Sequence, residues 1–116
     1  MELGLRGRKA LITGASKGIG LACAEALAEE GCDVILASRN AADLARAAEG
    51  IRARSNVNVT FHAADLSGSA AVDELAATFP EIDILVNNAG AIPGGSLDAV
   101  DEARWRSAWD LKVFGY

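Results

Sequence analysis

Apolar and polar positions along the chain fall into two alternating periods. Arg8 to Thr13 and Asp33 to Ser38 are short, mostly apolar runs bounded by turn-forming residues, which predicts strands. Between them Ile19 to Glu30 repeats apolar positions at helical spacing: Ile19, Cys23, Ala26 and Leu27 share a face, Glu25, Glu29 and Glu30 lie elsewhere, and Gly31 supplies a stop. This is one βαβ unit. The pattern then repeats, with an Ala-rich helix over Ala41 to Ala53, a third strand over Asn56 to Ala63, a third helix over Ser69 to Phe79 closed by Pro80, and a fourth strand over Ile82 to Val86. Continuous apolar runs such as Val34 to Ala37 suit a parallel sheet covered on both faces, with right-handed crossovers. After Gly95, Ser96 or Asp98 caps a last predicted helix through Asp101, Trp105, Trp109 and Lys112, its tryptophans one turn apart on the same side.

The junction between the first strand and first helix, Thr13-Gly-Ala-Ser-Lys-Gly-Ile-Gly20, carries the chemistry. Glycine lets the backbone turn tightly and approach a bound pyrophosphate, and the free N–H groups and positive dipole end of the following helix favour an anion. A nucleotide is the expected ligand. A Walker-type loop would end in Gly-Lys-Ser/Thr; here Lys17 precedes Gly18 and Ile19 follows, so a dinucleotide is favoured over ATP.

Composition narrows the class. With 116 residues, 51% of them hydrophobic, the chain has room for one globular domain at most. The net charge of −5 argues against nucleic acid or an anionic membrane as partner, since each calls for a clustered basic face. Charge is nevertheless uneven: Arg6, Arg8, Lys9 and Lys17 stand against Glu2 alone in the first twenty residues, which either gathers positive potential near the phosphate loop or decorates a solvated strand edge. Cys23 and Cys32 give neither a disulfide framework nor metal-ligand spacing; both are expected to be reduced, buried small hydrophobes, and no metal is expected. No signal core and no run near the roughly 18 to 20 apolar residues of a membrane span is present, so a cytoplasmic setting is expected.

Thr13 to Gly20, together with Asn87-Asn-Ala-Gly90 after the fourth strand, resembles the two signatures of the short-chain dehydrogenase/reductase family, and the likeness extends over essentially all 116 residues. It implies an α/β, Rossmann-type doubly wound parallel sheet of strand order 3-2-1-4, with residues 1–116 forming the N-terminal part of a single NAD(P)-binding domain and the remaining strands absent. In that pattern Gly14, Gly18 and Gly20 make the pyrophosphate turn and Ser16, Lys17 and Ile19 line the same loop. Asp65 accepts from the adenine amino group, or caps the following helix instead, and Leu66 touches the ring. Asn88, Ala89 and Gly90 pass beside the cofactor ribose, while Asn87 ties neighbouring strands or satisfies a turn. Ser38-Arg39 closes the second strand where an NAD-binding protein uses a carboxylate to hold the ribose 2′-hydroxyl. A guanidinium pairs with a 2′-phosphate instead, and Lys17 adds a second cation, so NADP(H) is expected in preference to NAD(H); the alternative for Arg39 is a solvated strand-end charge.

The family's hydride transfer relies on a tyrosine with a lysine four residues later, plus a substrate-orienting serine. The single tyrosine is Tyr116, so no Tyr-x-x-x-Lys exists within these residues, and the chain alone is expected to be inactive. The family also carries an asparagine seven residues after a tryptophan; counting from Trp105 gives Lys112, which either joins the proton relay or is a surface or snorkelling lysine. His62, in the third strand, reads as a packed or edge imidazole, and Trp105 and Trp109 as core or interface residues. The implied enzyme interconverts a carbonyl and an alcohol on a small molecule and forms a homodimer or homotetramer. The alternative is a non-catalytic nucleotide-binding or regulatory module. Against it, the apolar stretch Leu111 to Tyr116 lacks a helix stop and the fourth strand would present an apolar edge, which predicts a self-associating fragment or one part of a longer chain.

Overall fold

The computed structural model describes residues 4–66 and 69–88. Seven elements follow in order: β1 (Lys9–Thr13), α1 (Gly18–Glu29), β2 (Asp33–Ser38), α2 (Ala41–Arg54), β3 (Val59–Ala63), α3 (Ser69–Thr78) and β4 (Ile84–Val86). The strands form one parallel sheet in the order β3-β2-β1-β4, as the sequence predicts. The predicted helix through Trp105, Trp109 and Lys112 lies outside the described residues.

The two-residue period of a strand sends neighbouring side chains to opposite faces, and here both faces are apolar. Ala10, Ile12, Val34, Leu36 and Val59 pack with Ala24 and Ala28 of α1 and Leu44, Ala48 and Ile51 of α2. Leu11, Ile35, Ala37 and Leu85 face the other way, against Val72, Leu75 and Ala76 of α3. That division explains the continuous apolar runs, because every position in them meets a helix layer. Only β3 departs from it. Val59 is buried but Phe61 is 36% exposed, and Asn56 to Asn58 precede the strand instead of belonging to it, because β3 is an outer strand with a partner on one side.

The face of α1 differs from the expected one. Gly20, Ala24 and Ala28 are its buried residues; Ala26 is exposed, Cys23 and Leu27 are half-buried, and Ile19 is 74% exposed. The smallest residues face the sheet because the helix starts almost on top of the turn that precedes it, and a larger side chain at Gly20 would collide with that turn. The expectation of two buried cysteines therefore holds for Cys32 alone. At the other end Gly31, at φ +94, terminates the helix: its N–H donates to Ala28 O (3.0 Å) and the Cys32 N–H to Leu27 O (3.1 Å). This is the paired Schellman arrangement that satisfies the last carbonyls.

Candidate functional site at the switch point

From β1 the chain winds outward through β2 and β3 on one side, then crosses back so that β4 lies on the other side of β1. The crevice at the carboxyl ends of β1 and β4 is the switch point at which doubly wound sheets bind ligands. The glycine turn stands there. Gly14 (φ +65) and Gly18 (φ +66) occupy the left-handed region open to glycine at low cost. A Cβ on Gly20 would lie 2.1 Å from the Gly14 carbonyl oxygen, so helix and turn approach as closely as backbone allows. The turn is anchored to the sheet by the Gly14 and Ala15 N–H groups, which both donate to Ala37 O (2.8 and 3.3 Å).

At its N-terminus α1 has no side-chain cap and no acidic residue in its first turn, whereas α2 has both: Asn40 Oδ1 accepts from Asp43 N (3.0 Å). Helix starts need acceptors for their first N–H groups and favour negative charge. The open start of α1, directly behind two left-handed glycines, fits the pyrophosphate of a dinucleotide.

Thr13, fully buried, joins the two sides of the crevice. Its hydroxyl donates to Asn87 Oδ1 (3.1 Å), with Val86 O at 3.4 Å, and accepts from Asn88 N (2.9 Å). Asn88 Nδ2 in turn donates to Gly14 O (3.4 Å). The segment after β4 is thereby pinned against the glycine turn, and Asn87 does tie neighbouring strands together. Sequence reasoning passed over Thr13. The available signal was a β-branched hydroxyl closing an otherwise apolar strand, facing two consecutive asparagines.

Beside the turn, at the carboxyl end of β2, an open cavity of about 600 Å³ is lined by Ser16, Lys17, Ser38, Arg39, Asn40 and Asp43. Lys17 and Arg39 are exposed, and neither forms an ion pair among the described residues. The Asn40 N–H is held by Ser38 Oγ (3.3 Å) and its side chain caps α2, so Arg39 sits in a turn fixed on its carboxyl side. Asn40 and Asp43 were not foreseen as cavity residues, although Asn-x-x-Asp before an apolar-periodic run is a cap signature.

Of the other expected site residues, Asp65 is exposed just beyond β3, where Ala64 N donates to Ser38 O (2.8 Å) and extends the pairing toward the crevice. Leu66 is 7% exposed in the apolar cluster under α3, which leaves its backbone, not its side chain, for a ligand. Ile19 stands exposed at the glycine turn. Ala89, Gly90 and Lys112 lie outside the described residues. His62 packs edge-on against Phe79, ring centroids 6.1 Å apart, which is the packed role expected of it.

A similar-sized cavity, about 610 Å³, opens at the opposite pole among Lys9, Asp33, Asn58, Phe79 and Glu81. It has no glycine turn and lies at the amino ends of the strands. The chemistry concentrates at the switch point.

The family model for short chain dehydrogenase matches residues 8–116. The chain belongs to the short-chain dehydrogenase family. It is 41% identical over 115 residues to gluconate 5-dehydrogenase of Gluconobacter oxydans, covering 94% of this chain and 44% of that one. Among solved structures it is similar to L-sorbose reductase of Gluconobacter frateurii complexed with NADPH and L-sorbose, at TM-score 0.79 and 33% identity over 94% of this chain and 48% of that one. The Pseudomonas aeruginosa RhlG/NADP active-site complex matches at TM-score 0.68 and 40% identity, covering 77% of this chain and 37% of that one. The chain spans under half the length of the first curated relatives it matches.

Proposed function

We propose that this protein is an NADP(H)-dependent oxidoreductase that interconverts a carbonyl and an alcohol on a small molecule. The observation that carries the cofactor preference is the cavity at the end of β2, which Lys17 and Arg39 both line and where the strand end itself, Ser38-Arg39, has no carboxylate to hold a ribose 2′-hydroxyl, the Asp43 of the lining belonging to α2. Two solved relatives complexed with NADPH or NADP support the same reading.

In this reading Gly14, Ser16, Lys17, Gly18, Ile19 and Gly20 hold the pyrophosphate on the open start of α1. Arg39 and Lys17 take the 2′-phosphate, Asp65 and the Leu66 backbone meet the adenine, and Asn88, Ala89 and Gly90 border the ribose. When bound, the nicotinamide supplies or accepts the hydride. Lys112 is assigned to the proton relay at the family's asparagine position. These 116 residues contain one tyrosine, Tyr116, and no Tyr-x-x-x-Lys, so cofactor binding is the part of the activity that we assign to them. The complete enzyme is proposed to be a cytoplasmic homodimer or homotetramer.

Fluorescence titration of NADPH and NADH tests the cofactor assignment. A charge-assisted contact contributes about 1.5–3 kcal/mol, so Arg39→Ala is expected to weaken NADPH binding by roughly tenfold to a hundredfold. NADH binding should change by less than about threefold, since the 2′-hydroxyl draws little from a guanidinium. Equal losses for both nucleotides would remove the 2′-phosphate assignment.

A further inference from the structure

The cavity at the end of β2 is not lined by cations alone. Asp43, in the first turn of α2, is part of its wall, together with Lys17 and Arg39. A carboxylate there opposes any phosphate dianion held by the other two side chains, and it cannot simply be displaced. The Asp43 N–H is bound by Asn40 Oδ1 (3.0 Å), which fixes the α-carbon from which the carboxylate projects. The position is also favourable for the helix, because an anion in the first turn complements the dipole.

Among the described residues, one side chain forms an ion pair with that carboxylate. Arg46 lies three residues along the same helix and donates from Nη2 to Asp43 Oδ1. The Asp43 side chain is 21% exposed and that of Arg46 is 73% exposed, so the carboxylate is the less solvated member of the pair. Arg46 is not itself among the lining residues.

We propose that Arg46 is a specificity-determining positioning residue: by neutralising and holding the Asp43 carboxylate, it lets the cavity accept a phosphorylated dinucleotide in preference to one with a bare 2′-hydroxyl. The inference rests on the reading of this cavity as the 2′-phosphate subsite. With Arg46 in place, the field at the cavity is set by Lys17 and Arg39. Without it, a full negative charge faces the phosphate, and the penalty falls on NADPH alone because NADH brings no charge to that place. Asp43 and Arg46 together therefore act as one adjustable element, and substitution at position 46 tunes cofactor choice without touching the ligand.

The test measures NADPH and NADH dissociation constants at fixed ionic strength in the full-length protein. The variants are Arg46→Ala, Arg46→Lys, Asp43→Asn, the double variant D43N/R46A, and Arg39→Ala. A unit charge near contact in water-like surroundings changes affinity about fivefold, so Arg46→Ala is expected to weaken NADPH by about that factor and leave NADH within about twofold. Arg46→Lys keeps the wild-type preference, and D43N/R46A binds NADPH as Asp43→Asn does, since no carboxylate remains to be neutralised. Three results would each overturn the proposal: unchanged NADPH binding in Arg46→Ala, equal loss for both nucleotides, or a double variant as weak as Arg46→Ala. The Arg39→Ala measurement separates the two levels. Should it spare NADPH, the 2′-phosphate reading itself fails; should it weaken NADPH selectively while Arg46→Ala does not, only the role of Arg46 is lost.

Discussion

Gly20 and Gly50 are both helical glycines, and their surroundings assign them opposite consequences. Around Gly20 an added methyl would stand 2.1 Å from Gly14 O, 2.8 Å from Gly14 C and 3.0 Å from Asn88 Nδ2, two of them backbone atoms that cannot rotate away. Around Gly50, exposed within α2, nothing among the described residues lies within 4 Å of an added methyl. Gly20→Ala is expected to cost about 1–3 kcal/mol by overpacking and to displace the phosphate turn, so that NADPH affinity is lost with it. Gly50→Ala is expected to add about 0.5–1 kcal/mol through helix propensity with NADPH binding unchanged. Urea unfolding and cofactor titration on the two variants check the pair, and similar stability changes would refute the close-approach argument. At this scale the glycine turn was legible because glycine spacing reports backbone conformation directly. Thr13, Asn40 and Asp43 were not, since a hydroxyl or carboxylate acquires its role from residues 74 positions away, as Thr13 does from Asn87, or from a cavity that exists only once the sheet has formed.

Among the described residues the strand-helix alternation of elements was readable to within two residues except at the start of β3, because each element carries its own period and its own stop signal. The orientation of α1 was not. Helical periodicity marks the larger apolar side chains, whereas the sheet selected Gly20, Ala24 and Ala28, and Ile19 was left outside. The carboxyl end of the same helix supports a prediction on pH. Cys32 follows the Schellman turn, fully buried, with Sγ 3.5 Å from Leu5 O. Burial first, and then the carboxylates of Asp33, Glu30 and Asp83, push its thiol above the ordinary value. The folded state therefore holds the proton more tightly than the unfolded chain, and the associated stability is complete below about pH 8.5 and falls as pH rises through the folded value. Stability measured by urea between pH 8 and 10 is expected to decline less steeply in Cys32→Ala than in the wild type. Identical slopes would show that the thiol does not contribute.

For the molecule as a whole, the basic residues divide between the two poles of the sheet. Four cations crowd the first twenty residues, and on sequence alone they could all serve the phosphate loop. The five residues of β1, spanning roughly 16 Å, put Arg8 and Lys9 at the far end from Lys17. There Asp83, just ahead of β4, has its carboxylate 3.7 Å from the Arg8 guanidinium and accepts from the backbone N–H of Lys9 at 2.9 Å. Arg6 is also at that pole, against Gly31. On the proposed reading, the positive field at the switch point depends on Lys17 and Arg39, which line its cavity, and not on Arg6, Arg8 and Lys9. Arg8→Ala is expected to lower stability by less than about 1 kcal/mol, as for an exposed ion pair, and to leave NADPH affinity within about twofold. Lys17→Ala should reverse that pattern, with little change in stability and NADPH affinity reduced about fivefold or more at low salt, a difference that shrinks as added salt screens the exposed charges. Titrations at two ionic strengths distinguish the poles: an Arg8→Ala variant as weak and as salt-sensitive as Lys17→Ala would mean that the whole N-terminal cluster, and not the switch point alone, attracts the cofactor.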